Sequence, residues 1–495
     1  MSKKIVLGIL IVVLAAVLRL IDLGNNPPGV YVDEAVHGYN AYSLLTTGRD
    51  EYGNPLPILL RSFGTYPPAL YTYFTVPVVK LLGLNSLAIR LPSAVLGILL
   101  VAIVYLWFGP IVGLIVAISP GFILWSRTVS EPNLGLTLLV LGTFLSLKSL
   151  PLSFLILALS GYAYPAQRFL APLTLIFLSY HYRYRKHWLL SIIVATIVLL
   201  PLVWVSLTPG ANSRLIHLFE PASAARLYLS YFSPNNLFSR PDPDIQRSFP
   251  EVSIFHWWMF IPFVVGLIKS KKTGILKILL FWAILAPVPG AISGDYFSTL
   301  RTLPLFLVLA WVIAKGFPKK AIVIIPLLVL SLVELYSNMV LLKHERSSVW
   351  NYEYRQISHF ISSHSQDQIV VDNSRFKPIY ILWAFHSQVS PRLLQSRGFG
   401  GNYYSGFDFP DTLAFTNLAF RPINWREDVY ARQYLIADLL AVSDSQAREH
   451  FLTLEDVITD LNGRPVERIF LTHPDKKCNV PINRDNPFCK QIVVQ

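Results

Sequence analysis

Val30-Tyr-Val-Asp-Glu-Ala-Val-His-Gly-Tyr-Asn40 sets an adjacent acidic pair, Asp33 and Glu34, just beyond the first long apolar run. Pro27 and Pro28 precede the pair, and aromatic residues flank it. How the run from Ile5 to Leu18 is read decides how these carboxylates are read. Lys3 and Lys4 precede that run and Arg19 closes it. A cleaved signal peptide has the same outline, but the small-residue cleavage pattern is weak and many apolar segments follow. Residues 5–21 are therefore expected to form a transmembrane helix with a cytoplasmic N-terminus. The carboxylates then lie at a membrane surface, where charge is costly and is kept for a purpose. The bland alternative is a solvated loop carrying two charges.

Composition supports the membrane reading. Of 495 residues, 53% are hydrophobic and 14% charged, and mean hydropathy is +0.48; a soluble domain carries about 25% charged residues. The net charge of +13 is spread between apolar runs, as expected of cytoplasmic loops and contacts with membrane lipid phosphate, and no nucleic-acid motif occurs. The two cysteines, Cys478 and Cys489, suit one disulfide in an oxidising compartment, with free thiols as the alternative. No Cys/His spacing suggests a metal site.

Further apolar runs lie near 87–107, 110–125, 133–147, 151–164, 166–180, 188–207, 255–268, 275–292, 303–314 and 321–341. With the first, about 11 transmembrane helices are expected, making a multi-pass α-helical membrane protein. Counting from a cytoplasmic start, the inner loops carry Lys148, Arg183, Arg185, Lys186, Lys269, Lys271, Lys272, Lys277, Lys315, Lys319 and Lys320. The carboxylates Asp33, Glu34, Glu131, Glu220, Glu251 and Asp295 fall outside. That is the positive-inside pattern, and it leaves the C-terminus extracytoplasmic.

Two outside loops are long, 22–85 and 208–254, and long loops tend to be functional. In the first, 35–46 reads as a short helix on the membrane and 70–82 as an interfacial or re-entrant segment. Residues 1–344 form the expected transmembrane domain and 345–495 a small extracytoplasmic α/β domain. Strands are expected at Gln368–Asp372 and around 434–442 and 468–472, with a helix over Pro378–Phe385. Absence of any Asn-x-Ser/Thr acceptor favours a prokaryotic plasma membrane.

The outward-facing polar residues suggest a chemistry. Arg90, Arg127, Arg168 and Arg301 stand at the outer ends of apolar runs, and arginine there calls for an anionic partner such as a lipid-linked phosphate. A carboxylate beside that site can act as general base towards a hydroxyl. Each has a simpler reading. Arg90 can snorkel to headgroups, and Arg127 can snorkel or pair with Glu131. His37 can be structural, and Asp50-Glu51 can be a turn with a local ion pair.

One helix, an acidic pair in a long loop, Thr65-Tyr-Pro-Pro-Ala-Leu-Tyr71, Arg90-Leu-Pro-Ser93 and Trp125-Ser-Arg-Thr-Val-Ser-Glu-Pro-Asn133 together resemble the GT-C glycosyltransferases. Within that superfamily the order is most similar to family 39, the protein O-mannosyltransferase and aminoarabinose-transferase-like group. The likeness covers roughly the first 340 residues. It implies a cell-envelope enzyme that moves a hexosyl or pentosyl group from a polyprenyl-phosphate sugar, with inversion, to a glycan, lipid or protein hydroxyl. On that resemblance Asp33 is the catalytic base with Glu34 beside it, and Arg90 binds the donor phosphate. Arg168 and Arg301 join it by position and chemistry, with Tyr66, Glu131, His37 and Tyr39 as further substrate-site candidates. Tyr66 stands where family members often carry His or Lys. No cofactor is required, although an acidic pair could hold a divalent metal. A transporter or flippase of a lipid-linked anion would use the same arginines without a base, but the paired halves common in transporters are absent.

Overall fold

A computed structural model describes residues 3–212, 221–270, 275–294, 296–318, 320–376, 379–397, 403–405, 412–483 and 486–492. Lys271, Lys272, Lys319, Glu220, Asp295 and Pro378, named above, lie outside the described residues. The chain forms two compact units. One gathers Met1–Pro27, Asn40–Leu342 and Pro391–Phe407; the other gathers Pro28–Tyr39, Lys343–Ser390 and Asp408–Gln495. The acidic pair belongs to the second unit.

The first unit is helical. Its elements are α1 (Lys3–Leu20), the C-terminal half of α2 (Val32–Thr47), α3 (Leu70–Leu82), α4 (Ser86–Phe108), α5 (Pro110–Ile118), α6 (Pro120–Arg127), α7 (Glu131–Leu145), α8 (Leu150–Ser160), α9 (Pro165–His181) and α10 (Trp188–Ser206). After the second long loop come α11 (Pro221–Ser230), α12 (Pro234–Phe238), α13 (Phe260–Lys269), α14 (Leu276–Leu285), α15 (Val288–Ile292), α16 (Leu303–Gly316) and α17 (Ala321–Glu345). Every apolar run is thus helical. Among the described residues, three helices are long and apolar enough to cross a membrane: Ser86–Phe108, Trp188–Ser206 and Ile322–Glu345. The pair α5 and α6 makes a fourth if counted as one span bent by 62°. α10 and α17 leave many of their apolar side chains exposed, among them Ile193, Ile197, Trp204, Ile325 and Val333. Apolar surface on that scale needs a covering, and lipid supplies one. Where helices pack most closely the residues are small. A Cβ on Gly266 of α13 would meet the Val312 carbonyl of α16 at 1.9 Å, and one on Gly316 would meet Pro262 at 2.0 Å.

The break between α5 and α6 is built from sequence upwards. Pro120 has no N–H for the carbonyl of Val116, and the Gly121 N–H donates to Ile254 instead of Ala117. Both orphaned carbonyls are taken by Arg19 of α1, whose Nη2 donates to Val116 at 3.1 Å and Nη1 to Ala117 at 3.1 Å. Its Nε donates to Ser126 Oγ at 3.2 Å. The next carbonyl, Ile118, accepts from His256 Nε2 at 2.9 Å, while His256 Nδ1 lies 2.5 Å from Glu334 Oε2. Arg19 is wholly buried; it is a helix cap rather than a terminal anchor.

The second unit holds a six-stranded sheet: β1 (Ile369–Val371), β2 (Leu413–Ala414), β3 (Leu418–Phe420), β4 (Tyr434–Asp438), β5 (Thr453–Thr459) and β6 (Pro465–Leu471), in the order β2-β3-β1-β4-β6-β5. The central β1 runs parallel to β3 and β4, and the outer pairs are antiparallel. Helices α18 (Tyr354–Ser363) and α19 (Ile379–His386) complete an α/β domain, and Cys478–Cys489 is a disulfide. Strands β1, β4 and β6 overlap the apolar stretches expected to form strands. The exposed β5 and the very short β2 carry too little pattern to be read.

Replacing Arg19 by Met is expected to strand the Val116 and Ala117 carbonyls at a cost of about 3 kcal/mol, seen as a lowered melting temperature of the detergent-purified chain. Unchanged melting would mean that the break is held by other contacts.

Candidate active site

The acidic pair opens α2, whose first turn carries both Asp33 and Glu34. Negative charge there is favoured by the helix dipole. The helix starts three residues before the expected 35, so the pair is helical rather than in the loop. Its two members have different surroundings. Glu34 is buried and its Oε2 accepts from the Tyr31 N–H at 3.2 Å, so it closes the helix start. Asp33 is exposed, and among the described residues no hydrogen bond or ion pair engages it. His37 and Tyr39 are buried on the same helix, and the Tyr39 hydroxyl donates to the Val389 carbonyl at 2.9 Å.

The turn at Trp350-Asn351 holds the entry to this helix. A Cβ on Gly29 would meet the Trp350 carbonyl at 1.9 Å, so only glycine lets the strands of chain approach. Asn351 Nδ2 donates to the Val30 carbonyl at 3.3 Å, and the Tyr31 ring meets Trp350 edge-on at 6.2 Å. Glu353, next along, is buried; burial first, then the charge of Asp460, pushes its carboxyl up to about 8. Glu467 is pushed up to about 9, again chiefly by burial.

In the helical unit, arginines pin the chain that leads out of α1. Arg90 of α4 is wholly buried and its Nη1 donates to the carbonyls of Pro27 at 2.8 Å and Leu23 at 3.3 Å. Arg127 at the end of α6 donates to Leu18 at 3.0 Å and Asn26 at 2.8 Å. Arg127 neither snorkels nor takes Glu131 as its hydrogen-bond partner; burial at the helix junction directs it to backbone carbonyls.

Glu131 and Arg168 are brought together: the former opens α7, the latter lies in the first turn of α9, and Glu131 is the charge that acts on Arg168. Arg168 Nε and Nη2 are buried without a hydrogen-bond partner among the described residues. The heads of these helices are firmly placed. Ser130 caps α7 through the Asn133 N–H, and Asn133 Nδ2 donates to the Ser93 carbonyl at 2.8 Å. Gly135 packs against Gln167, the neighbour of Arg168.

Arg301 ends a 3-10 turn, Thr299–Arg301, just before α16. The second long loop positions that turn. Buried Asp242 accepts from the Thr299 N–H at 2.8 Å, and Arg247 Nη1 donates to Ser298 Oγ at 3.1 Å. Burial raises the Asp242 carboxyl to about 6. These two residues are not singled out in the sequence, where the loop offers only its length.

Tyr66 is buried and its hydroxyl donates to the Tyr403 carbonyl at 2.8 Å. Asp50 also departs from expectation. It does sit in a turn, closed by the Gly53 N–H on its carbonyl. Its carboxylate, however, is buried rather than ion-paired at the surface, takes the Tyr52 and Asn54 N–H groups, and accepts from the Tyr403 hydroxyl. Burial holds its carboxyl above the usual range. Glu51 pairs with Asn40 through two hydrogen bonds. Among the described residues no group of three or more His, Cys, Asp or Glu is placed to hold a metal ion.

No family model matches the chain, and no curated protein matches it. Among solved structures, the aminoarabinose transferase ArnT of Cupriavidus metallidurans bound to undecaprenyl phosphate superposes with a TM-score of 0.58, over 94% of this chain and 97% of that one, at 11% identity. The chain shares the fold of that transferase. The apo state of the same transferase gives 0.47 at 12% identity, over 96% and 99% of the two chains. An oligosaccharyltransferase of Archaeoglobus fulgidus gives 0.46 at 11%, over 78% of this chain and 64% of that one. The four arginines have different surroundings: Arg90 and Arg127 donate to backbone carbonyls, while Arg168 and Arg301 lie at helix heads.

The raised Glu353 carboxyl gives a pH test. Its ordinary value is 4.5 and its folded value about 8, so folding takes up a proton between those limits. The stabilisation is full below pH 4.5 and is lost as pH rises through 8. Glu353→Gln does not titrate, so its melting advantage over wild type is expected to widen from pH 5 to pH 8 and then level off. A gap independent of pH would contradict this.

Proposed function

We propose that the chain transfers a sugar from a polyprenyl-phosphate donor to a hydroxyl acceptor on the extracytoplasmic face of a prokaryotic plasma membrane, inverting the anomeric carbon. The exposed carboxylate of Asp33, at the first turn of a helix whose neighbouring Glu34 is occupied by backbone, carries the reading. A general base must be accessible and able to take a proton, and of the pair only Asp33 answers that description. Support for a lipid-phosphate donor comes from the GT-C fold and from undecaprenyl phosphate in the ArnT structure.

In this reading Asp33 accepts the proton of the acceptor hydroxyl as its oxygen bonds to C1 of the sugar. The bond from C1 to the phosphate oxygen breaks on the opposite face, and polyprenyl phosphate leaves with the electron pair. Arg168 and Arg301 stabilise the negative charge that gathers on that phosphate. Glu131 adds a negative charge that acts on Arg168. Arg90 is a positioning residue, because its guanidinium fixes the Leu23 and Pro27 carbonyls just ahead of the acidic pair. Tyr66, His37 and Tyr39 are candidates for the surroundings of the substrate. The disulfide in the C-terminal domain supports an extracytoplasmic location for that domain.

Asp33→Asn is expected to reduce release of free polyprenyl phosphate from a polyprenyl-phosphate sugar by a factor of about 100 to 10,000, with melting lowered only slightly through the lost charge at the helix start. Glu34→Gln should lower melting as well as rate. Wild-type turnover in Asp33→Asn would end the assignment, and transport without release of polyprenyl phosphate would favour a flippase. Arg168→Met should chiefly lower kcat, because the charge that Arg168 meets develops as the phosphate leaves.

A further inference from the structure

The loops α7–α8 and α9–α10 meet around a cleft of about 420 Å³ lined by Lys148, Ser149, Leu150, Pro151, Arg185, Lys186, His187 and Leu190. Three of these side chains are cationic, a fourth is histidine, and none is acidic. The cations are not there to meet a local carboxylate, since from Pro132 to Phe219 the chain contains no Asp or Glu. Gathering like charges in one cleft is unfavourable unless an anion joins them.

The cleft is a built feature. Arg185 Nη1 donates to the Ser146 carbonyl at 2.6 Å, which ties one loop to the other. Its guanidinium also lies over the Tyr182 ring at 5.1 Å. Trp188 Nε1 donates to Ser179 Oγ at 2.9 Å and to the Ser179 carbonyl at 3.0 Å, fixing the turn that presents Lys186 and His187. Arg183 lies over the exposed rings of Tyr180 and Tyr184, at 4.4 and 4.8 Å, an aromatic setting suited to headgroup depth.

One wall is apolar. Leu150, Pro151 and Leu190 line the cleft, and Leu152, Leu189 and Ile193 continue the exposed apolar surface along α8 and α10. A free phosphate has no use for that wall, whereas an acylated one does. We infer that this cleft binds the phosphodiester headgroup of an anionic phospholipid, with its acyl chains lying along α8 and α10. Lys148 and Lys186 engage the phosphate as point charges, and Arg185 holds the frame while adding its own field. The site is separate from the residues proposed for sugar transfer and does not depend on that reading.

The test is native mass spectrometry of the full chain in detergent with phosphatidylglycerol, phosphatidylcholine and inorganic phosphate as probes. Wild type should retain phosphatidylglycerol in preference to phosphatidylcholine. Lys148→Gln with Lys186→Gln, both exposed and so not expected to disturb folding, should weaken that retention about tenfold or more. Lys315→Gln with Lys320→Gln removes two charges elsewhere and should leave it unchanged, and melting curves of both doubles should match wild type. Equal retention by the Lys148/Lys186 double variant would overturn the inference. So would equal loss in the control, equal binding of phosphatidylcholine, or tighter binding of inorganic phosphate than of the lipid.

Discussion

A carbonyl buried away from water must be given a donor, and the break between α5 and α6 concentrates that demand on three consecutive residues. Arg19 and His256 meet it from two different parts of the chain, α1 and the segment before α13. Once Arg19 is fixed on the break, α1 is fixed, and the chain leaving it falls within reach of Arg90 and Arg127. Those two then hold the carbonyls of Leu18, Leu23, Asn26 and Pro27. The path of the chain from α1 to Pro27 is thus set by cations bonded to backbone.

The same interactions explain what was hidden in the sequence. Apolar runs long enough to become helices, the change of composition near Lys343 and the isolated apolar strands β1, β4 and β6 all leave a pattern of residue types. A cation bonded to carbonyls leaves none, because every residue has a carbonyl. Arg19 therefore reads as the end of a run, and Arg127 as a side chain that snorkels or pairs with Glu131. Asp50 was misread for a related cause: its partner Tyr403 lies 353 residues away. The difference between Asp33 and Glu34 was visible only through family resemblance; in the structure it becomes a difference of exposure and of one backbone N–H.

Asp242 and Arg247 show how a long loop can serve a site without entering it. They take the backbone and hydroxyl of Thr299 and Ser298 and so set the turn that ends at Arg301. Length alone marked the loop as worth attention, but not which residues mattered.

The segment Pro28–Tyr39 is packed with the sheet-bearing unit while being encoded ahead of nearly all the helices. Gly29, Val30 and Tyr31 rest on Trp350 and Asn351, and Tyr39 bonds to Val389. The C-terminal domain is for this reason not a cassette. A gene fusion joined near codon 343 would pair a foreign domain with a dozen residues shaped for the original one, so the two stretches must change together over evolutionary time. Exchange between relatives would succeed only where both pieces travel.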